Sequence, residues 1–262
     1  MAELTTLASV LRSEPTRASL DELYFRFNRR DQVHPDPVEF LYRYENSLDR
    51  EIAGIIASSL AYGRVRQILK SVERVLGRMG QSPRSFLLDG HPSEFSSLFC
   101  DFRHRFTSGG DLVRLLDGLK RMLLEYGSLH ACFSSEYDED TDTILPALSE
   151  FVSKLAVTAE CNGMFLPSPS RGSACKRMNL FLRWMVRRDN VDPGGWQSVS
   201  PSKLVVPLDT HMHRIGLALG FTRCKQANMR TALEITRAFR RFDPHDPVRY
   251  DFALTRIGIL GR

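Results

Sequence analysis

Two strings in the C-terminal half of the chain carry residues that can do covalent and acid–base chemistry. Ser170-Arg171-Gly172-Ser173-Ala174-Cys175-Lys176-Arg177-Met178 reads as a loop entering a helix, because Met178, Phe181, Leu182, Met185 and Val186 then recur at i, i+3, i+4, i+7 and i+8. Lys176 falls in the first turn, off that apolar stripe. There the helix dipole and partial desolvation both disfavour the ammonium form, lowering the pKa and giving access to a neutral, nucleophilic amine. A lysine that forms a Schiff base needs that property. The second string, Val205-Val206-Pro207-Leu208-Asp209-Thr210-His211-Met212-His213-Arg214-Ile215, lies 33 residues on from Lys176 to Asp209. Its apolar run and proline deliver Asp209 to the N-cap of an amphipathic helix bearing Ile215, Leu217 and Leu219. As a cap alone, Asp209 is structural.

The same string offers a competing chemistry, since Asp209, His211 and His213 resemble a metal-ligand cluster. Helicity discriminates the two. In a strand His211 and His213 share a face; on a helix, positions two apart point to different sides, and ligand pairs favour i, i+3 or i, i+4. The helical reading makes His211 a structural hydrogen-bonding residue and gives no metal site.

The elements that must position these groups are helices almost throughout. Apolar residues recur at helical spacing in Ile68, Leu69, Val72, Val75, Leu76 and Met79, and again in Leu112, Leu115, Leu116, Leu119 and Leu123. Asp36-Pro37, Ser82-Pro83 and Asp246-Pro247 mark helix starts, a polar cap preceding a proline whose missing N–H costs nothing in a first turn. About ten or more helices are expected. Gly90–Gly110 is less periodic, and the acidic run Glu136 to Asp142 reads as an exposed connection or helix N-terminus. Repeats and low-complexity tracts are absent. One compact all-α unit spanning 1–262 is the simplest organisation, and a division into two lobes, about 50–160 and the N-terminal segment with 161–262, is its finer form.

Composition is that of an ordinary globular domain, 42% hydrophobic and 26% charged in 262 residues, with no bilayer-length apolar run and no signal-peptide pattern at Met1 to Leu11. A cytoplasmic location is the default. Cys100, Cys132, Cys161, Cys175 and Cys224 are odd in number and widely spaced, which suggests reduced core thiols rather than disulfides, zinc or an iron–sulfur cluster. The net charge is +5, and the acidic run alone holds five acids, so the rest of the chain carries about +10. Between Arg171 and Arg188 six basic residues, including Arg183 and Arg187, occur with no acid, which fits either a polyanion-binding surface or solvated helix faces.

The Asp209 string resembles the Val-Asp-Thr-His-x-x-Arg segment of the helix-hairpin-helix DNA glycosylases, the superfamily of endonuclease III and the 8-oxoguanine glycosylases. In that family a lysine at the start of the helix after the hairpin attacks the sugar C1′, and a later aspartate stabilises the cationic sugar. Lys176 and Asp209 match these places in order, with a spacing similar in style to the archaeal 8-oxoguanine glycosylases; the extra length is a Pro/Gly-rich insert, Asp189 to Lys203. Arg177 is a competing register for the lysine position and cannot form a Schiff base. Glu51 to Val65 looks like the early glycosylase helix ending in a DNA-inserting turn, which implies Leu60 or Tyr62 as a wedge. The bland reading packs both in the core. Asp251 to Arg262 is similar to the helix preceding the iron–sulfur loop of endonuclease III, and the chain stops where that loop would begin, which implies no cluster in this chain and leaves a truncated chain as one expectation.

One departure is plain. Where the family has Leu-Pro-Gly-Val-Gly, this chain has Leu166-Pro167-Ser168-Pro169-Ser170-Arg171-Gly172, whose prolines lack an N–H and which offers a single glycine. A helix N-terminus flanked by Arg171 is the alternative phosphate holder. Across the whole chain the resemblance is closer to a bacterial family described only as a domain of unknown function, placed beside these glycosylases.

What the resemblance implies is a two-lobed helical bundle of the helix-hairpin-helix glycosylase type with a cleft between lobes. Its function is that of a base-excision DNA repair glycosylase, a hydrolase with abasic-site lyase activity, acting without cofactor on duplex DNA as a nucleoid-associated monomer. Lys176 and Asp209 are the implied catalytic pair. Arg64, Arg66, Arg171, Ser173, Arg177, Lys203, His211 and Arg214 are the implied DNA contacts, and Leu60, Tyr62 and Trp184 the base pocket or wedge, with Phe165 and Trp196 as further stacking candidates. Against this stand a non-catalytic DNA-binding protein of the same fold and a metal-dependent hydrolase using Asp209, His211 and His213. The distance between Lys176 and Asp209 separates enzyme from binding module.

Overall fold

The computed structural model describes residues 15–156 and 167–260. Along the chain the helices are α1 (Arg17–Phe27), α2 (Ser47–Ser59), α3 (Val65–Met79), α4 (Pro83–Asp89), α5 (Pro92–Leu98), α6 (Gly109–Tyr126), α7 (Leu129–Ser134), α8 (Leu145–Ala156), α9 (Lys176–Val186), α10 (Thr210–Ala218), α11 (Met229–Arg240) and α12 (Asp251–Leu260). Short 3-10 turns at Arg30–Gln32, Pro37–Arg43, Pro169–Arg171 and Pro201–Lys203 join them. Sheet among the described residues is confined to one hairpin, β1 (Arg103–His104) paired antiparallel with β2 (Thr107–Ser108), inside the stretch whose periodicity fails. The structure is therefore mostly helical, as the apolar spacing predicts.

Local caps explain most helix starts. Ser82 precedes Pro83 and accepts from the Ser85 N–H, and Asp36 precedes Pro37 and accepts from Val38, here opening a 3-10 turn. Asp246-Pro247 departs from its expected role. The next helix begins only at Asp251, and the Asp246 carboxylate instead accepts from Arg187, whose Nε lies 3.0 and 2.9 Å from its two oxygens. The acidic run forms the exposed connection between α7 and α8, as expected.

Two helices lie at the centre. In α2 every residue from Glu51 to Ser59 is buried, and in α9 every residue from Met178 to Val186. They pack on each other at Gly54, where an added Cβ would lie 3.3 Å from the Phe181 ring, so the glycine sets the closeness of the pair. A one-sided stripe predicts a half-exposed α9. The helix is instead enclosed all round, and this is possible because its polar member, Arg183, finds buried carboxylates.

That pairing corrects the basic run. Arg183 donates through Nε and Nη2 to Asp192 Oδ1 at 3.2 and 3.1 Å and through Nη1 to Asp251, while Arg187 bonds Asp192, Asp189 and Asp246. Arg183 is 3% and Arg187 4% exposed, so neither belongs to a polyanion-binding surface. Burial opposes their charge and the surrounding carboxylates outweigh it, so both guanidinium pKa values are raised. The Asp189 to Lys203 insert thus supplies counter-charges to α9. Trp196 in the same insert is buried and donates from Nε1 to Glu51 Oε2 at 3.0 Å.

Cys132 and Cys175 are buried thiols as expected, whereas Cys100 is exposed and Cys224 half-buried; Cys161 lies outside the described residues. Among the described residues no helix is long and apolar enough to cross a membrane.

Candidate active site

Asp209 arrives through a buried thread. Leu204 to Leu208 are all buried, and the Val206 N–H is anchored on Thr236 Oγ1 at 3.0 Å. Asp209 then caps α10, its Oδ1 accepting from the N–H groups of His211 and Met212, both at 2.8 Å. Both bonds fall on Oδ1, and Oδ2 takes none among the described residues. The N-cap expectation holds. Because α10 is helical from Thr210, His211 and His213 diverge, and His213 is bound through Nε2 to the Cys224 carbonyl at 2.8 Å.

Lys176 is the first residue of α9 and follows Cys175, whose backbone is left-handed with φ 47°. Its Nζ donates to the Ala61 carbonyl at 3.0 Å, just past the C-terminus of α2. The side chain keeps some accessible surface but is ringed by protein. Desolvation is the largest influence and lowers the amine pKa from 10.5; Asp209 is the strongest group pushing it back up, followed by Asp36 and Asp251, while Arg177 adds to the lowering. Residues 33 apart in the chain are therefore electrostatic neighbours.

Arg177 is held differently. Its Nη1 donates to the Ser59 carbonyl at 3.0 Å, its guanidinium lies 5.1 Å from the Tyr62 ring centroid, and its strongest charge partners are Tyr62 and Cys175. Of the two registers, Lys176 is the one on whose pKa the Asp209 charge acts.

Sequence reasoning missed two carboxylates beside this pair. Asp36, read as a cap, caps Val38 and also exerts a field on Lys176; burial pushes its pKa up, opposed by the Val38 N–H and by Arg183, Arg256 and Lys176. Asp251 opens α12, which packs on α10. One oxygen is bound by Arg183, and Oδ1 is buried with no hydrogen-bond partner. Desolvation pushes its pKa to about 6, against Arg183 and reinforced by Asp209. No short-range pattern marks Asp251 in sequence, because its partners lie 68 and 42 residues away at Arg183 and Asp209.

The remaining expected residues divide by exposure. Arg64, Arg66 and Arg214 are exposed, and His211 and Ser173 half-buried, Ser173 bridging Asn228. Lys203 is half-buried and ties its Nζ to the Thr141 carbonyl at 2.7 Å, so its charge serves the acidic connection. Arg171 ends a 3-10 turn and Gly172 follows at φ 73°, and Leu166 and Phe165 lie outside the described residues. Leu60 and Trp184 are both 0% exposed, filled in by core neighbours, and neither presents a side chain to a ligand here. Tyr62 is half-buried with its hydroxyl on the His104 carbonyl at 2.8 Å and on Thr107 Oγ1 at 2.6 Å, which fixes it against the β1–β2 hairpin.

A mostly helical protein with a desolvated lysine in the field of three carboxylates, Asp209, Asp36 and Asp251, is the class these features define. A family profile matches residues 36–260, and the chain belongs to that family, described as a protein of unknown function (DUF2400). No curated protein and no solved structure matches the chain.

Proposed function

We propose that this protein is a base-excision DNA glycosylase with abasic-site lyase activity, of the helix-hairpin-helix type. The observation that carries the reading is the convergence of Lys176 and Asp209, since Asp209 is the strongest charge acting to raise the amine pKa. In the proposed reaction the N-glycosidic bond breaks, the base leaves with the bonding electrons, and Asp209 offsets the positive charge left on the sugar. The neutral amine of Lys176 donates its lone pair to C1′ and loses a proton; the C1′–O4′ bond then breaks, O4′ taking up a proton, to leave a protonated imine, and loss of a C2′ proton drives elimination of the 3′ phosphate as the C3′–O bond breaks. Desolvation favours the neutral amine, and the three carboxylates restrain how far that goes. Exposed Arg64, Arg66 and Arg214 serve as phosphate contacts.

The test is borohydride trapping on duplex DNA carrying an abasic site or 8-oxoguanine, with wild type and Lys176→Ala. A covalent band lost in the variant supports the reading; a band of equal intensity in the variant removes Lys176 from the chemistry.

One observation favours a second reading, a non-catalytic DNA-binding protein of this fold. Lys176 and Arg177 both donate to carbonyls at the end of α2, at Ala61 and Ser59, which is what basic residues do when they cap a helix C-terminus. Tight DNA binding without any trapped band matches that reading.

A further inference from the structure

Away from the lysine, α11 and the loop after α10 line a shallow, solvent-open depression of about 530 Å³. Its charged lining is Arg223 from the loop and Arg230, Glu234, Arg237 and Arg241 from the helix and its C-cap. The helical four fall at i, i+4, i+7 and i+11, a single face, so the three arginines and Glu234 share one wall.

The pocket is a built one. Gly220 turns the chain at φ 69°, the Phe221 N–H bonds the Gly216 carbonyl at 2.8 Å, and the Phe221 ring packs edge-on to Phe239 at 5.0 Å, which presses the loop onto α11. Glu234 is already satisfied, accepting from Thr222 Oγ1 at 2.6 Å and from Arg230 Nε at 2.9 Å. It therefore neutralises Arg230 and leaves Arg223, Arg237 and Arg241 exposed with no ion-pair partner among the described residues. Three like charges converging on one cavity repel one another unless an anion joins them. The C-terminal dipole of α11 accounts for cations at Arg237 and Arg241, and not for Arg223, which a separate segment brings to the same cavity.

We infer that this pocket binds phosphate groups. Guanidinium forks match phosphate oxygens in paired hydrogen bonds, and the row of side chains along α11 suits consecutive phosphates better than a single small anion. The phosphates belong to a nucleic-acid backbone or to a free polyphosphate. The inference uses no residue of the Lys176 site.

The test is the variant Arg223→Gln/Arg237→Gln/Arg241→Gln beside Lys176→Ala and wild type, all checked for an unchanged melting transition. Binding to a fluorescent 20-base-pair duplex is followed across salt concentration, and inorganic pyrophosphate is titrated by calorimetry. For a backbone contact, the slope of log affinity against log salt falls in magnitude by about 2 to 3 in the triple variant, roughly 0.9 for each phosphate that is no longer neutralised. If DNA binding is absent or unaltered while pyrophosphate binding is lost in the triple variant, the pocket holds with a free polyphosphate as its source. Equal binding of both probes by wild type and triple variant, or of neither by wild type, overturns the inference. Lys176 trapping is scored separately, so the base-excision reading can fail while the pocket stands.

Discussion

Lys176 Nζ donates to the Ala61 carbonyl at 3.0 Å, joining the first residue of α9 to the backbone just beyond α2. The bond holds the amine at the negative end of one helix while its own helix presents a positive end, so opposing dipoles act on one proton. The pKa below 10.5 means that desolvation prevails over both that carbonyl and the nearby carboxylates.

From this follows a pH dependence. If Lys176 is the nucleophile, as proposed, below its pKa the amine is charged and cannot attack, so the trapping rate rises with pH and levels off at an inflection below the ordinary lysine value of 10.5. Removing a carboxylate that favours the ammonium form lowers the lysine pKa further. Asp209→Asn therefore moves the inflection to lower pH, read from single-turnover trapping between pH 6 and pH 10.

The two roles of Asp209 separate by substitution. Asp209→Asn keeps an oxygen for the His211 and Met212 N–H groups and leaves stability nearly unchanged, whereas Asp209→Ala loses the cap and costs about 1 kcal/mol. On the proposed base-excision reading, both remove the charge that offsets the sugar cation, and base release is expected to fall by at least about a hundredfold in each. Chemical denaturation and a glycosylase assay on the same preparations check this.

Arg183→Met leaves Asp192 and Asp251 without a principal counter-charge in the core. Breaking a buried pair from one side costs roughly 3–5 kcal/mol, so the variant melts far below wild type. A loss under about 1 kcal/mol in urea titrations would show that water reaches the network.

Glu51 gives a second pH signature. It accepts from the Leu129 and His130 N–H groups at 2.7 and 3.1 Å and from Trp196, yet burial pushes its pKa to about 7. Its folded pKa thus lies above the unfolded value near 4.5, and the folded state binds the proton more tightly. The associated stability is complete below about pH 4.5 and is lost as pH rises through 7, up to about 3 kcal/mol. Glu51→Gln flattens this slope between pH 5 and pH 8 in urea titrations.

What could be read from sequence followed the reach of the interactions. The Ile68–Met79 spacing gave α3 with the expected side buried, and the Asp209 cap was legible because its partners are two and three residues away. Arg183 and Arg187 read as surface charge because the acid-free run ends only at Arg188; Asp189 and Asp192 follow it closely, while Asp251 and Asp246 lie 68 and 59 residues away. Leu60 and Trp184 show the same limit from the apolar side: a large side chain at a helix end or on a helix fits a core or a ligand pocket equally until its neighbours are known. The influence of Asp36 and Asp251 on Lys176 depends on how the Pro37–Arg43 turn and α9 pack on α2 and how α12 packs on α10, and no spacing encodes that.

Cys175 occupies the left-handed region at φ 47°, a conformation natural to glycine and costly for other side chains. The aim of the neighbouring amine is therefore governed by a peptide hinge one residue upstream as well as by its own rotamers. A β-branched residue there would unwind the entry into α9 and swing the amine off its carbonyl, while glycine would fit without strain but let the entry wander. The thiol, buried and pushed up to about 11, contributes bulk rather than reactivity: it is a wedge that keeps a flexible side chain pointed.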